Sequence, residues 1–228
     1  MALRLRNPRW TKVDRYVEDL LIPPDPILDA ALKASAAAGL PDIAVTPSQG
    51  KFLHLLARMH GARRILEIGT LGGYSTIWLA RALPPGGRLV TLEADPTHLK
   101  VAGENIARAG LSHLVDQRLG LALEILPQLT GPFDFIFIDA DKENAAAYFE
   151  ASVRLSRPGT AILVDNVVRG GAVAKPTARD TSSRGIHEMN EAIRREPRVT
   201  ATTIQTVGRK GYDGFLLALV TESVTNQA

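Results

Sequence analysis

The sequence predicts an α/β fold, a largely parallel sheet with helices on both faces, and three observations predict it. Apolar runs alternate with helix-like segments through short connections over most of the chain, the pattern of strands buried between helix layers. One run, Ile65-Leu66-Glu67-Ile68, passes into the glycine-rich turn Gly69-Thr70-Leu71-Gly72-Gly73 and then into a helix-like segment over 74–82. Two later runs end in carboxylates, Asp139 and Asp141 after one and Asp165 with Asn166 after the other.

Composition sets the bounds. A chain of 228 residues suffices for one domain with a full core. The expected organisation is a helical arm or cap over 1–45 and a main domain over 46–222. Lys+Arg 27 against Asp+Glu 24 leaves a net charge of +3, too small to mark a nucleic-acid binder. With no cysteine there is no disulfide, iron–sulfur cluster or thiolate zinc site. No apolar run reaches the ~18 residues of a membrane span, and Met1–Arg6 lacks the apolar core of a signal peptide. The expectation is a cytoplasmic protein with no membrane partner.

Taken in order, residues 1–24 carry Arg4, Arg6, Arg9, Lys12 and Arg15 with Trp10 and Tyr16 between them. They form either an RNA-contacting arm or a helix that is solvated or packs on the core or a partner subunit; the second is favoured. Pro23-Pro24-Asp25-Pro26 breaks the chain and starts a helix with Ile27, Leu28, Ala31, Leu32 and Ser35 inward, ended by Gly39-Leu40-Pro41. Thr46-Pro47-Ser48 opens the next, with Phe52, Leu53, Leu55, Leu56 and Met59 inward and Gly61 as its stop.

After the glycine turn, 88–92 reads as a strand closed by Glu93, and Asp95-Pro96 caps a helix that runs to Ala109. A strand over 115–119, a short helix over 122–129, a strand over 133–138, a helix over 144–155 and a strand over 160–164 follow. A polar loop over 169–180 leads to a helix over about 183–196. Runs at 199–207 and 214–220, joined by 208–213, form an antiparallel hairpin.

Strand ends are where open α/β sheets bind ligands, so the Gly69–Gly73 turn, Glu93, Asp139 and Asp165 are candidates to line one crevice. Glycine allows tight turns and close approach of backbone to a ligand. The spacing is not Gly-x-Gly-x-x-Gly, because Leu71 stands where the second glycine is expected. Glu93, about 20 residues beyond the turn, suits ribose hydroxyls. Glu67 is costly to bury unpaired and is expected to face a cationic or donor-rich ligand.

Asp139, Asp165 and Asn166 offer two carboxylates and an amide oxygen, a hard-oxygen set suited to Mg²⁺, Mn²⁺ or Ca²⁺ and poorly suited to zinc. The competing reading makes Asp141 or Asn144 an N-cap and Asp165-Asn166 an ordinary turn pair. Lys142 is either a base, which requires surroundings that favour its neutral form, or a surface lysine at a helix start. None of the five histidines forms an H-E-x-x-H set.

These motifs together resemble the cation-dependent, S-adenosylmethionine-dependent O-methyltransferases of the caffeoyl-CoA and catechol type, especially small bacterial members. The segments that carry the resemblance are Glu67-Ile68-Gly69-Thr70-Leu71-Gly72-Gly73-Tyr74-Ser75, Phe137-Ile138-Asp139-Ala140-Asp141-Lys142 and Val164-Asp165-Asn166. It extends from Val13-Asp14-Arg15-Tyr16 to Tyr212-Asp213-Gly214. The resemblance implies a Rossmann-like class I methyltransferase fold, a mostly parallel seven-stranded sheet with an antiparallel last strand. It implies a cofactor pocket from Val45, Glu67, Gly69, Thr70 and Ser75, with Glu93 on the ribose, Gly120 to Ala122 near the adenine and Asp139 close by. It makes Asp139, Asp165 and Asn166 the metal ligands, with Mg²⁺ favoured over Mn²⁺ or Ca²⁺, and Lys142 the catalytic base. The acceptor becomes a catechol-like or vicinal-diol phenol, and the assembly a homodimer.

Three alternatives stay open. The acceptor is instead a hydroxylated uridine in tRNA, which the arginine-bearing arm would suit. The glycine turn serves an NAD-dependent oxidoreductase, a reading that leaves Asp139, Asp165 and Asn166 without a role. Or the chain is a non-catalytic cofactor-binding module.

Overall fold

The computed structural model describes residues 7–221; Arg4 and Arg6 of the basic arm, and the expected domain end at 222, lie outside them. Seven strands form one sheet in the order β3-β2-β1-β4-β5-β7-β6. They are β1 (Arg64–Ile68), β2 (Arg88–Glu93), β3 (Val115–Leu119), β4 (Phe135–Ile138), β5 (Ala161–Asp165), β6 (Val199–Gly208) and β7 (Gly211–Val220). Only β7 runs antiparallel to its neighbours, β5 and β6. The expected mixed sheet with an antiparallel last strand is therefore present. The helices are α1 (Pro8–Leu21), α2 (Pro26–Ala37), α3 (Pro47–His60), α4 (Tyr74–Ala80), α5 (Pro96–Arg108), α6 (Ala122–Ile125), α7 (Ala145–Arg154) and α8 (Thr181–Arg195). Among the described residues no helix is long and apolar enough to cross a membrane.

The chain divides into two compact units, one contiguous over 15–128 and one assembled from 1–14 and 129–228. In the contiguous unit, β1 pairs with β2 and β2 with β3, all parallel. After its first residue β1 is buried throughout, which is why it reads as an apolar run interrupted only by Glu67. Three of its helices, α2, α3 and α5, start where a side chain satisfies free N–H groups. The Asp25 carboxylate accepts from Ile27 and Leu28 N–H, Thr46 Oγ1 from Gln49 N–H, and Asp95 from Thr97 and His98 N–H. Each cap precedes a proline, whose missing N–H costs nothing at a first turn.

Three inward assignments need correction. Leu55, Met59 and Leu32 are exposed. At 100° per residue, Gly50, Leu53 and Ala57 share the buried face of α3, and Leu55 and Met59 fall on its far side.

In the second unit β4 and β5 pair in parallel, and both are almost wholly buried. The hairpin is tighter than expected, because β6 extends to Gly208 and β7 begins at Gly211, leaving only Arg209 and Lys210 as the turn. Ladder bonds use backbone, so Gly208, Gly211, Tyr212 and Asp213 pair although the expected runs left them in the joint. The turn is tied to α1, where the Asp14 carboxylate accepts the Arg209 N–H at 2.6 Å. The polar loop over 169–180 contains a 3-10 segment, Arg169–Ala174, and Asp180 caps α8 through Ser183 N–H.

Candidate active site

In the contiguous unit the glycine turn follows β1, and three of its residues adopt left-handed backbone: Gly69 (φ 100°), Leu71 (φ 50°) and Gly73 (φ 80°). A left-handed residue bearing a Cβ costs roughly 1–2 kcal/mol, so Leu71 needs a restraint. Glu93, the last residue of the neighbouring strand β2, supplies it. Its Oε2 accepts the N–H of Thr70 at 3.2 Å and of Leu71 at 2.8 Å, and its Oε1 accepts the Asp95 N–H at 3.0 Å. Each carboxylate oxygen has two lone-pair sites, so Glu93 keeps capacity for a hydroxyl while bracing the turn. Behind the turn, buried Asn105 donates to the carbonyls of Gly72 (2.9 Å) and Ala31 (3.3 Å).

Glu67 is fully buried at the centre of a hydroxyl cluster. Ser75 Oγ donates to its Oε1 at 2.6 Å; Thr76 Oγ1 (2.5 Å) and Thr91 Oγ1 (2.7 Å) donate to its Oε2. Thr70 Oγ1 lies 2.6 Å from Thr91 Oγ1, which joins the turn to the same cluster. Where the sequence leads to the expectation of a cationic or donor-rich ligand facing Glu67, the three hydroxyl donors on its carboxylate come from its own chain. Thr91 faces it because the two are register partners in the β1–β2 ladder. Gly120 (φ 143°) donates its N–H to the Glu93 carbonyl at 2.9 Å, so Gly120 and Ala122 follow β3 directly beside the end of β2. Val45 is buried immediately before the cap of α3.

In the second unit the register of the parallel strands decides the geometry. Ile138 pairs with Val164, so Asp139 and Asp165, each the next residue, stand side by side at the strand ends. Equivalent positions of adjacent parallel strands face the same way and lie about 5 Å apart. The Lys142 Nζ donates to Asp139 Oδ1 at 3.0 Å; the lysine is almost completely buried, whereas Asp139 is 24% exposed. This removes the surface-lysine reading of Lys142. Asp165 is buried and accepts the Asn166 N–H at 2.8 Å. Among the described residues no group of three or more His, Cys, Asp or Glu side chains is arranged to hold a metal ion.

Asn144, one of the two expected candidates, is the N-cap residue of α7, but its side chain makes no capping hydrogen bond. Instead Tyr148 OH donates to Asp141 Oδ1 at 2.5 Å and Asn144 Nδ2 to Asp141 Oδ2 at 2.6 Å, which fixes the 139–142 turn. Burial first, then the Asp141 hydrogen bond, pushes the Tyr148 phenol well above its ordinary pKa. Asn166 (φ 58°) and Arg169 (φ 56°) are left-handed, as are Gly170 and Gly171. Asp213 Oδ1 accepts the N–H groups of Val168 (3.0 Å), Arg169 (2.9 Å) and Gly214 (3.0 Å).

Sequence reasoning missed Thr76, Thr91, Asn105, Tyr148 and Asp213. Thr91 follows once β1 and β2 are set in register; the other four give no signal without tertiary packing.

Comparison with known proteins settles the family. The O-methyltransferase family model matches residues 23–219. The chain belongs to that family. The O-methyltransferase is 51% identical over 220 residues to a catechol O-methyltransferase of Niastella koreensis, covering 95% of this chain and 100% of the relative. It is 52% identical over 216 residues to a catechol O-methyltransferase of Mycobacterium tuberculosis, covering 94% and 98%. The crystal structure of the O-methyltransferase from Bacillus cereus in complex with SAH superposes with a TM-score of 0.92 at 57% identity, covering 94% of this chain and 99% of that one. The expected Rossmann-like methyltransferase fold and enzyme class hold.

Proposed function

We propose that this enzyme transfers a methyl group from S-adenosylmethionine to one hydroxyl of a catechol-like vicinal diol, with a divalent cation held by Asp139, Asp165 and Asn166. The observation that supports it most is the β4–β5 register, which sets Asp139 beside Asp165, with Asn166 turning left-handed immediately after. The donor set is hard oxygen, as Mg²⁺ and Mn²⁺ require. Two relatives named catechol O-methyltransferase support the diol acceptor, and the SAH complex of the Bacillus cereus relative supports the cofactor.

In this reading the ends of β1, β2 and β3 receive the cofactor. Glycines at 69 and 120 leave the backbone bare there, Glu93 offers the one remaining lone-pair site of its Oε1 to ribose, and Val45, Thr70, Ser75 and Ala122 complete the lining. Glu67 holds the hydroxyls of Ser75, Thr76 and Thr91 in place. When bound, a divalent cation supplies Lewis acidity that favours the ionised form of a facing hydroxyl. Lys142 Nζ is the group that takes the hydroxyl proton, which it can do only in its neutral form, released from the Asp139 carboxylate to which it donates here. Alignment of acceptor oxygen with the sulfonium methyl contributes much of the acceleration. The reading includes a homodimer, to be checked by light scattering; α1 leaves Val13, Tyr16, Leu20 and Leu21 exposed.

The test is methyl transfer to a panel of catechols, read by mass spectrometry with Mg²⁺ and with EDTA. Product is expected with Mg²⁺ only, and Asp165→Ala should lower turnover at least about a hundredfold. No product with any catechol despite tight SAH binding would overturn the diol acceptor and direct attention to hydroxylated tRNA.

A further inference from the structure

Asn166 reaches its left-handed conformation within a segment in which Arg169, Gly170 and Gly171 are left-handed as well. Two of these four residues bear side chains, and such backbone persists only where its surroundings over-determine it. The surroundings here converge on one atom. Asp213 Oδ1 accepts the N–H of Val168 at 3.0 Å and of Arg169 at 2.9 Å, and its own strand steadies it through the Gly214 N–H at 3.0 Å. The Val167 N–H is taken by the Gly214 carbonyl at 3.1 Å. Position 214 admits no side chain, since a Cβ there would lie 2.4 Å from the Ile204 carbonyl oxygen and 2.6 Å from Val168 Cγ2. Asp213-Gly214 is thus a fitted seat for the 166–169 turn. Glu93 does the same for Leu71, accepting the N–H of the left-handed residue and of the one before it.

We propose that Asp213 is a positioning residue for the cation: it fixes the left-handed turn that presents the Asn166 amide oxygen beside Asp165. This rests on the metal assignment made above. An acceptor is what the turn requires, so an amide oxygen can replace the carboxylate, whereas a methyl group cannot.

The experiment measures Mn²⁺ affinity by electron paramagnetic resonance and SAH affinity by calorimetry, on the full-length chain. The proteins are wild type, Asp165→Ala, Asp213→Ala, Asp213→Asn and Asp213→Glu. Asp165→Ala should abolish Mn²⁺ binding. Asp213→Ala should weaken it about tenfold or more, the usual scale for residues that orient metal ligands, with SAH affinity within about twofold of wild type. Asp213→Asn should restore most of the Mn²⁺ affinity. Asp213→Glu, with its oxygen displaced by one methylene, should not. If Asp213→Ala fails to bind SAH, the Asn and Glu variants decide: equal Mn²⁺ affinity in the two overturns the inference. Wild-type Mn²⁺ affinity in Asp213→Ala, alongside a loss in Asp165→Ala, overturns the inference and leaves the metal assignment standing. A wild-type enzyme that binds no Mn²⁺, or an Asp165→Ala variant that binds it unchanged, overturns the metal assignment and the inference with it.

Discussion

Glu93 in the contiguous unit and Asp213 in the second unit each accept two successive backbone N–H groups and thereby hold a left-handed, side-chain-bearing residue, Leu71 in one case and Arg169 in the other. The carboxylates beside these braces differ sharply. Glu67 is closed off by three hydroxyl donors of its own chain, while Asp139 is a quarter exposed and meets a single lysine. A carboxylate at a strand end can thus be a brace, a buried post or a ligand. The kind of donor separates brace from post, backbone N–H groups in one and side-chain hydroxyls in the other, and the smaller number of donors marks the ligand.

The largest expected effect tests the open half. Lys142→Ala should reduce kcat by about 10²–10⁴, the range for loss of a general base, while SAH affinity stays near wild type. Stopped turnover with retained SAH titration would mark the two halves as separable; joint loss would break the comparison.

Next comes the closed half. Glu67→Ala leaves three buried hydroxyls without their acceptor and should destabilise the fold by about 3 kcal/mol or more. For a chain of this size that is a drop in Tm of roughly 6–12 °C, measurable by calorimetry. An unchanged Tm would mean that Glu67 is not a structural post.

The smallest effect concerns the α2 cap. Burial opposes ionisation of Asp25, but the Arg81 guanidinium and the N–H groups of Leu28 and Ile27 outweigh it and hold the carboxyl below its ordinary value. A depressed folded-state pKa stabilises above the unfolded value, about 4, and that stabilisation is lost as pH falls through the folded value. Asp25→Asn keeps the cap acceptor and removes the charge, so it should cost at most about 1 kcal/mol at pH 7, as partly exposed pairs do. The Tm gap from wild type should start to narrow as pH falls below about 4 and close only below the depressed folded-state value; a gap that does not narrow at all between pH 7 and the acid end of the titration would show that charge is not its origin.

Much of this was legible in the sequence for identifiable reasons. Asp25-Pro26, Thr46-Pro47 and Asp95-Pro96 announce helix starts through local chemistry, and the buried strands β1, β4 and β5 read as apolar runs because both sheet faces are covered. Asp139, Asp165 and Asn166 were legible as strand-end residues, but their juxtaposition requires the β4–β5 register. Thr91 as the partner of Glu67 likewise emerges only when β1 and β2 are aligned. Asp213 was hidden more deeply, since its partners lie 44 and 45 residues away and meet it only because β7 pairs with β5.

The Asp14–Arg209 hydrogen bond joins residues 195 apart. The unit it belongs to combines a segment before residue 15 with one after residue 128, whereas the unit bearing the glycine turn is one uninterrupted stretch. Chains emerge from the ribosome N-terminus first, and contiguous units fold as they appear. The expected order during synthesis is therefore the glycine-turn unit first and the Asp139–Asp165 unit last, after the β6–β7 turn has emerged. Protease resistance of ribosome-arrested chains of increasing length would test it: protection of both units at the same length would refute a stepwise order.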